Sequence, residues 1–494
     1  MQHLSTYLLA VLAIVLAACS AHPSVPQEAT SVDALPEIFP DYTEVTIPSN
    51  IAPLNFMLLD ESIDQVVARI TAADGQTQTY GEGCKVMIDE AEWRQLRDAS
   101  RGASLKIEVF AHQQAGGWIA YRPFGIAVAR DEVDPYVSYR LIDPSYVIYY
   151  RMAINQRDIT TFDEREVYNN RLTDGEGQGQ CINCHSYQSY KTDNMLFHVR
   201  GRHGATVMVV DGKVRTVSLK RANTISAGVY PAWHPTERLV AFSTDVTHQW
   251  FHTRDVNKIE VFDTQSDLVL YDIDRDTVRV IAADTARLEV FPAWSPDGRW
   301  LYYCSADAWR QDDPAVGDYR TNYEQLRYNV YRRAYRDGRF GDEELVYRAD
   351  SAGRSCSLPR VSPDGRYLTF AEGAYGYFNI WHHEADVRVL CLDDSASALL
   401  DTRPVNSAGY AESYPTWSSN GRWLMCASRR DDGNYSRIYL SHFDGQRFGK
   451  AFMVPQRDPE LDLQRMQSFN RPEFMSEPVD EDLARDVSRQ LEQL

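Results

Sequence analysis

The sequence lacks the motifs of common hydrolases and has few cysteines. Gly-x-Ser-x-Gly and His-Glu-x-x-His are both absent from its 494 residues, which removes the nucleophile elbow of esterases and the helix of zinc proteases. After Ala18, no apolar run reaches the length that crosses a bilayer as a helix. The net charge of −19 argues against a nucleic-acid-binding surface and against electrostatic docking to anionic lipid. Only one pair among the 8 cysteines has Cys-x-x-Cys spacing, so neither a disulfide framework nor a four-cysteine zinc site is expected.

That one pair belongs to Cys181-Ile182-Asn183-Cys184-His185, the attachment signature of a c-type haem. Two thiols at this spacing can each add to a haem vinyl group, and the imidazole that follows can ligate the iron. We therefore predict one haem c, bound covalently through Cys181 and Cys184, with His185 as the proximal iron ligand. Half of a zinc site and a redox dithiol are the alternatives. The first needs a second Cys/His pair and the second a βαβ pattern, and the sequence offers neither.

The second axial ligand of such a haem would be Met, His or nothing at all. Met195 and His198 are the nearest candidates in the sequence, and His203 is a weaker one. Methionine would give a higher potential, a second histidine a lower one, and an open position would admit a small molecule. As alternatives, Met195 would be a core residue and His198 a hydrogen-bonded structural histidine. Further histidines are interpreted as structural or surface residues: His234, His252, His382 and His383.

The N-terminus predicts export. Residues 7–18 form an apolar run that is too short for a membrane anchor, and Leu16-Ala17-Ala18-Cys19 resembles the lipobox of bacterial lipoproteins. No Lys or Arg precedes the run, and a secretory peptide without lipid is the alternative. We expect a signal peptide over 1–18, lipidation of Cys19 and a flexible tether over 19–45. The predicted location is the outer membrane or periplasm, lipid-anchored, with the cell surface as an alternative. Covalent haem attachment is an exported-compartment process in bacteria, so the two predictions agree.

The next two segments are expected to be a β-sandwich and a connector. Short alternating strands with Gly-containing turns, and a helix-like insert from Asp89 to Ala99, predict an immunoglobulin-like β-sandwich over 46–133. Residues 134–194 read as a connector that carries the haem motif after a glycine-rich approach over 173–180. The Gly-x-Gly-x-Gly spacing in that approach lacks the strand and lysine of a phosphate loop.

The second half of the chain repeats a Pro-x-Trp-Ser-Pro-Asp-Gly-Arg template. Proline, aspartate and glycine in this order form a tight corner, and an apolar strand follows each corner. A repeated unit of about four strands predicts a β-propeller of five or six blades over 195–455, followed by a C-terminal tail over 456–494. The alignment makes Cys304 and Cys426 buried packing residues and puts the haem motif at the corner of the first blade. The copies of the template are residues 230–235, 291–299, 358–366 and 414–422.

These repeats resemble the TolB-type propeller repeat over roughly residues 197–454. The whole chain resembles exported proteins, mainly of Bacteroidota, that join a lipobox, a β-sandwich-like region, one Cys-x-x-Cys-His and a TolB-like propeller. Such proteins are often labelled cytochrome c-related. The resemblance implies an all-β architecture more than an activity, and its supporting stretches are 50–56, 134–142 and 251–263.

Three functions remain open at this stage. The first is electron transfer between one covalent haem and a redox partner. The second is a propeller that binds a protein or glycan, with a structural or sensory haem, and aromatic and Arg-rich loops such as 309–320 fit it equally well. The third is a haem enzyme, which requires an open axial position. Asp312-Asp313 is interpreted as part of a solvated insertion rather than as an acid/base pair. No nucleic-acid partner is expected, and the membrane is reached through the lipid anchor alone.

Overall fold

The computed structural model describes residues 22–143, 151–173, 180–201, 203–308, 322–393 and 398–494. The chain divides into two compact units, residues 1–130 with 455–463, and residues 131–454 with 464–494. Both units are built mainly of strands.

The first unit contains two sheets and a helix. One sheet has the strand order β1-β9-β8-β10-β3, with β5 pairing to β8 and β6, and the other has the order β2-β4-β7. The expected helix is present, and the Asp89 side chain caps it by accepting hydrogen bonds from the backbone of Ala91 and Glu92. The elements are β1 (Thr30–Ser31), β2 (Ile38–Phe39), β3 (Thr46–Ile47), β4 (Phe56–Leu58), β5 (Ile63–Thr71), β6 (Thr77–Tyr80), β7 (Lys85–Val86), α1 (Glu90–Ala99), β8 (Ser104–Gln113), β9 (Trp118–Ala120), β10 (Phe124–Val128) and α2 (Pro459–Gln464).

The second unit is a β-propeller made of successive antiparallel meanders. Its strands are β11 (Tyr136–Ile142), β12 (Met152–Asp158), β13 (Glu164–Asn169), β14 (Gln180–Gln188), β15 (Lys191–Gly201), β16 (Ala205–Val210), β17 (Lys213–Val217), β18 (Val229–Trp233), β19 (Leu239–Phe251), β20 (Ile259–Asp272), β21 (Thr277–Ala282), β22 (Arg287–Trp294), β23 (Trp300–Asp307), β24 (Asn329–Arg336), β25 (Arg339–Tyr347), β26 (Ser355–Val361), β27 (Tyr367–Gly373), β28 (Asp386–Cys391), β29 (Glu412–Trp417), β30 (Trp423–Ser428), β31 (Arg437–His442), β32 (Phe452–Met453) and β33 (Ser468–Met475). Helix α3 (Leu483–Leu491) follows the last strand.

The meanders follow the chain with one exception. The meanders are β14–β17, β18–β21, β22–β25, β26–β28 and β29–β32. One parallel pairing, between Ser266 in β20 and Leu288 in β22, joins the second meander to the third. The exception is a sheet of order β13-β12-β11-β33, which combines strands from both ends of the unit. Three of these strands lie in the segment expected to be a connector, and β33 lies in the segment expected to be a C-terminal tail.

The repeated corners have the hydrogen bonds that the sequence template predicts. Ser295 Oγ donates to Asp297 Oδ1 at 2.6 Å and accepts from the Trp300 backbone at 3.0 Å. Gly298 takes a φ of 69°, which a side chain would disfavour. The same bonds recur around Ser362 and Ser418.

Cys304 and Cys426 are buried packing residues, as expected. Cys304 is 0% exposed and Cys426 is 1% exposed, and Cys304 packs with Leu288 and Tyr328 in one core cluster. Neither thiol forms a disulfide.

Candidate functional site

Six strands of the propeller share one backbone irregularity. In β14, β18, β22, β26, β29 and β33 the pairing register shifts by a bulge, and one residue of the bulge has a positive φ. These residues are Cys184 (56°), Tyr230 (50°), Phe291 (56°), Leu358 (55°), Tyr414 (51°) and Arg471 (51°). Proline follows the positive-φ residue in five of the six strands, and His185 follows it in β14.

The bulges surround a central cavity of about 320 Å³. This volume lies at the lower end of the range for small-molecule and cofactor sites. Residues from all six bulged strands line the cavity, and so do residues from neighbouring strands and loops. We call these six strands, which all contribute residues to the cavity wall, the inner strands.

The bulge in β14 puts both motif cysteines on the cavity wall. Side chains of a regular strand alternate between faces, so residues three apart point in opposite directions. A bulge adds one residue and restores a common face. Cys181 and Cys184 both line the cavity, whereas Ile182 is fully buried in a core cluster with Phe197.

His185 also lines the cavity and is 1% exposed. Neither ring nitrogen of His185 has a hydrogen-bond partner of ordinary geometry. A weak interaction with the Ser138 backbone raises the His185 pKa slightly. Burial lowers the His185 pKa to about 4, against a smaller opposing effect of Glu473. The imidazole is therefore neutral at pH 7, with a lone pair free for a ligand. A buried polar group without a partner is costly, which makes His185 a strong candidate for a ligating residue.

The sulfur of Met152 lies beside the motif. Its Sδ is 3.9 Å from Cys181 Sγ and accepts a hydrogen bond from the Ile182 backbone at 3.1 Å. The Asn183 side chain donates to Cys181 Sγ at 3.0 Å and accepts from Arg140. These contacts hold the start of the motif strand against β11 and β12.

The cavity wall is rich in cations. Arg360 and Arg471 both pair with the buried Glu473, at 2.7 and 3.2 Å. Arg429 donates to the Ile380 carbonyl at 2.9 Å and stacks on Trp381 with its guanidinium 3.5 Å from the ring centre. Burial lowers the Arg429 pKa to about 9. The cationic lining residues are Arg140, Arg200, Lys258, Arg360, Arg429 and Arg471.

Two carboxyl groups, Asp143 and Asp245, lie on the same wall. Neither oxygen of Asp245 has a hydrogen-bond partner, and burial together with Asp263 raises its pKa well above the usual carboxyl range. Burial thus favours the protonated, neutral form of Asp245. Buried cations normally carry counter-ions. The buried Arg429 and the half-buried Arg140 form no ion pair with any carboxylate of the described chain. The wall thus suits a ligand that brings its own negative charge.

The predicted axial candidates Met195 and His198 do not reach this cavity. Met195 is fully buried in the core cluster that contains Ile154 and Phe197. The Nδ1 atom of His198 forms a hydrogen bond with Thr206 Oγ1 at 2.9 Å. The His198 ring packs against the Phe242 ring, with 5.9 Å between the ring centroids. His203 lies in the turn after β15 and is not among the lining residues. The core and structural alternatives therefore describe Met195 and His198 better than ligation through this cavity.

Three of the histidines interpreted as structural, His234, His382 and His383, have side-chain hydrogen-bond partners. His234 Nδ1 accepts from the Glu237 backbone at 2.9 Å, and His234 Nε2 contacts the Gly298 carbonyl at 3.2 Å. His382 is buried against Glu260 at 3.0 Å, and His383 contacts Asn257. The His252 backbone N–H donates to the Lys258 carbonyl.

The zinc alternative finds no support in the part of the chain that the structure describes. No three His, Cys, Asp or Glu side chains there lie close enough to hold one metal ion. A haem iron needs fewer protein ligands, because the porphyrin occupies four positions and cysteines attach to its edge. None of the helices in the described ranges has the length and apolar character to span a bilayer.

Several predicted features lie outside the described residues. These are Cys19 with the signal peptide, the three glycines of the approach to the motif, the pair Asp312-Asp313 and the loop over 309–320.

Sequence reasoning missed the cationic wall and the sixth bulge. Arg471-Pro472 occupies the X-Pro position of the repeat, but Phe474-Met475-Ser476 replaces Trp-Ser-Pro after it. Aligning the X-Pro step alone would have found it. The prediction that the haem motif lies at the corner of the first blade is wrong, because that corner is Gln188–Lys191 and Cys184-His185 occupies the X-Pro step before it.

No protein-family model matches the sequence, and no curated protein matches it. Solved structures that are similar include TolB from Acinetobacter baumannii, with 11% identity, 74% of this chain and 78% of that chain covered, and a TM-score of 0.41. A hypothetical selenium-binding protein from Sulfolobus tokodaii has 9% sequence identity and a TM-score of 0.38, and the match covers 85% of this chain and 97% of that chain. An oligogalacturonate lyase in complex with manganese has 12% sequence identity and a TM-score of 0.36, and the match covers 64% of this chain and 72% of that chain.

Proposed function

We propose that this chain is an exported c-type haem protein that carries one haem c in the central cavity of its propeller and transfers electrons through it. The observation that carries the proposal is the position of Cys181, Cys184 and His185 on one inner strand. A bulge turns both thiols toward the cavity, and His185 presents an unpartnered neutral imidazole there. A bound haem would supply one-electron redox chemistry.

The chain's own residues would take distinct roles. Cys181 and Cys184 would form the thioether links, and His185 would be the proximal ligand. Arg140 and Arg429 are suited to the haem propionates, because they are cations on the cavity wall without a carboxylate partner in the described chain. Met152 would pack against the attachment side, through its contact with Cys181.

A binding module with a structural or sensory haem is the second candidate. The hairpin of β19 and β20, with 13 and 14 residues, is the longest of the described propeller. It exposes Val246 (37%), Phe251 (49%) and Val256 (62%). Exposed apolar side chains grouped on one arm are typical of a surface that binds a protein or glycan.

We further propose the finer features of the architecture. Six inner strands with one shared bulge support six blades, the last closed by β33 from the C-terminal region. The immunoglobulin-like assignment of the N-terminal unit, lipidation of Cys19, location at the outer membrane or periplasm, and kinship with the Bacteroidota cytochrome c-related lipoproteins stay part of this proposal.

The test is a visible spectrum of the protein exported by a bacterium with c-type haem maturation. We expect a reduced-minus-oxidised haem spectrum in the wild type and its loss in the double variant Cys181→Ala/Cys184→Ala. Cys391→Ala, a half-buried cysteine of β28 outside the cavity, is the matched control and keeps the spectrum. A wild type without haem bands, or bands that persist in the double variant, would overturn the proposal.

A further inference from the structure

One carboxyl group of the cavity wall lacks a hydrogen-bond partner among the described residues. Asp245 in β19 lines the cavity and is 9% exposed. Neither of its side-chain oxygens accepts a hydrogen bond from the described chain. A buried carboxylate without hydrogen bonds or a counter-ion is costly, so the protonation of Asp245 responds to the charge of whatever occupies the cavity.

The register of β19 and β20 determines which groups share a face with Asp245. Alternate residues of a strand share one face, and Asp245, Thr247 and Gln249 all line the cavity. Thr247 and Gln249 are exposed, so this face continues from the buried carboxyl group to solvent. Thr247 is paired with Asp263 across the hairpin and donates to Asp263 Oδ1 at 2.8 Å. Tyr377 donates to the same oxygen at 2.9 Å, which fixes a second buried carboxyl group on the face of Asp245.

Charged and titratable groups from several elements surround Asp245. Burial is the main cause of its raised pKa, and the like charges of Asp263 and Asp267 in β20 act in the same direction. Arg200 at the end of β15 opposes them. Cys184 in β14 also faces Asp245, but a thioether at that position carries no charge. Three phenols complete the surroundings, those of Tyr230, Tyr328 and Tyr377.

Reduction of a haem in this cavity removes one positive charge from the space that Asp245 lines. A positive charge nearby favours the carboxylate form of an acid, and loss of that charge favours the neutral form. Charges interact more strongly in a buried site than in water. The proton affinity of Asp245 should therefore be higher in the reduced protein than in the oxidised protein.

We propose that Asp245 takes up one proton when the bound haem is reduced and releases it when the haem is oxidised. One electron from the redox partner converts Fe(III) to Fe(II), and one proton from water converts the Asp245 carboxylate to the carboxylic acid. This inference rests on the proposed electron-transfer function and names the residue that couples it to a proton.

Potentiometric titration of the holoprotein at a series of pH values tests the inference. One proton per electron changes the equilibrium constant tenfold for each pH unit, which is about 59 mV for a one-electron couple. We expect the midpoint potential of the wild type to fall toward this slope within one pH window. Asp245→Asn keeps the size of the side chain and should have a potential that is independent of pH there. Asp274→Asn, at a side chain that is 62% exposed and outside the cavity lining, is the matched control and should keep the wild-type slope.

Infrared difference spectroscopy gives a second readout that needs no variant. In the wild-type holoprotein with isotope-labelled aspartate, reduction should add an isotope-shifted band of a protonated carboxyl group. The label distinguishes aspartate from a haem propionate.

Two results would overturn the inference while leaving the haem in place. One is a wild-type potential that does not vary with pH, together with no aspartate band. The other is a pH dependence that persists unchanged in Asp245→Asn, because the proton then binds to another group. A wild type without any haem band is a different failure, since it removes the proposed function and this inference with it.

Discussion

His185 replaces the proline that follows the positive-φ residue in the five other inner strands. The bulge leaves this position between the paired residues Asn183 and Ser186, outside the regular ladder. Proline fits such a position because its fixed φ and missing N–H cost little there. The backbone at His185 is thus compatible with proline, and the imidazole is present for another reason.

We predict that His185→Pro keeps the fold and loses the proximal ligand. The change in the free energy of unfolding should be within about 1 kcal/mol. In the holoprotein, the haem spectrum should change or disappear. Circular dichroism melts and the visible spectrum check the two parts separately.

His234→Pro is the comparison variant for that experiment. The His234 N–H donates to the Leu239 carbonyl at 2.9 Å, so proline there should cost about 3 kcal/mol. If His185→Pro unfolds the protein as severely as His234→Pro, the equivalence of the six bulges is wrong.

Arg429 sets a second prediction at the residue scale. A buried cation near a haem favours the reduced state, because it stabilises the added electron. An interaction of about 1–2 kcal/mol between the Arg429 cation and the haem is expected, so Arg429→Met should lower the midpoint potential by tens of millivolts. Potentiometric titration of the holoprotein measures this. Arg275→Met, at a side chain that is 80% exposed, should leave the potential unchanged. Equal shifts in both variants would contradict the placement of the haem beside Arg429.

At the scale of single strands, the sequence predicted the regular parts well. The strand after each corner and helix α1 lie where the patterns indicate, because local turn chemistry and alternation determine them. The bulges were not predicted. A bulge is one extra residue whose position depends on the partner strand, so a single sequence does not mark it.

The cavity residues that the sequence does not reveal follow from the same limit. Arg140, Arg429 and Arg471 come from three strands or strand ends far apart in sequence, and only the closed propeller brings them to one cavity. The motif residues were found because their chemistry depends on local spacing.

Strand β22 provides a pH-dependent prediction. Burial raises the Glu289 pKa from 4.5 to about 8, helped by Asp267. Between these pH values the unfolded chain binds fewer protons at this site than the native chain does, so the native state loses stability as the pH rises through the window.

Glu289→Gln should remove that loss. The free energy of unfolding of the variant, measured relative to that of the wild type, should rise by on the order of 3 kcal/mol between pH 5 and pH 8. Urea unfolding at the two pH values measures the difference, and Glu477→Gln, at an exposed position, is the control. If the difference in unfolding free energy between the wild type and Glu289→Gln is the same at both pH values, the raised pKa of Glu289 is contradicted.

At the scale of the whole unit, the shared sheet of β11, β12, β13 and β33 joins its two ends. Phe474 in β33 is 2% exposed, so Phe474→Ala should cost about 3–5 kcal/mol of unfolding free energy. Leu345→Ala, at a side chain that is 41% exposed, should cost much less. Denaturant unfolding compares them. Similar small losses in both variants would mean that β33 does not contribute to the core of the unit.

The whole molecule joins one Cys-x-x-Cys-His motif to a scaffold with an exposed apolar hairpin. Under the proposed function a single motif suffices, because six inner strands supply the cavity wall and only one of them needs the cysteines and histidine.

The most direct test of the account is the intact mass of the exported protein under denaturing conditions. The account predicts that the wild type exceeds Cys181→Ala/Cys184→Ala in mass by one haem, after correction for the two substitutions, because any lipid on Cys19 is present in both. A wild-type mass without haem, from cells that mature other c-type cytochromes, would contradict it.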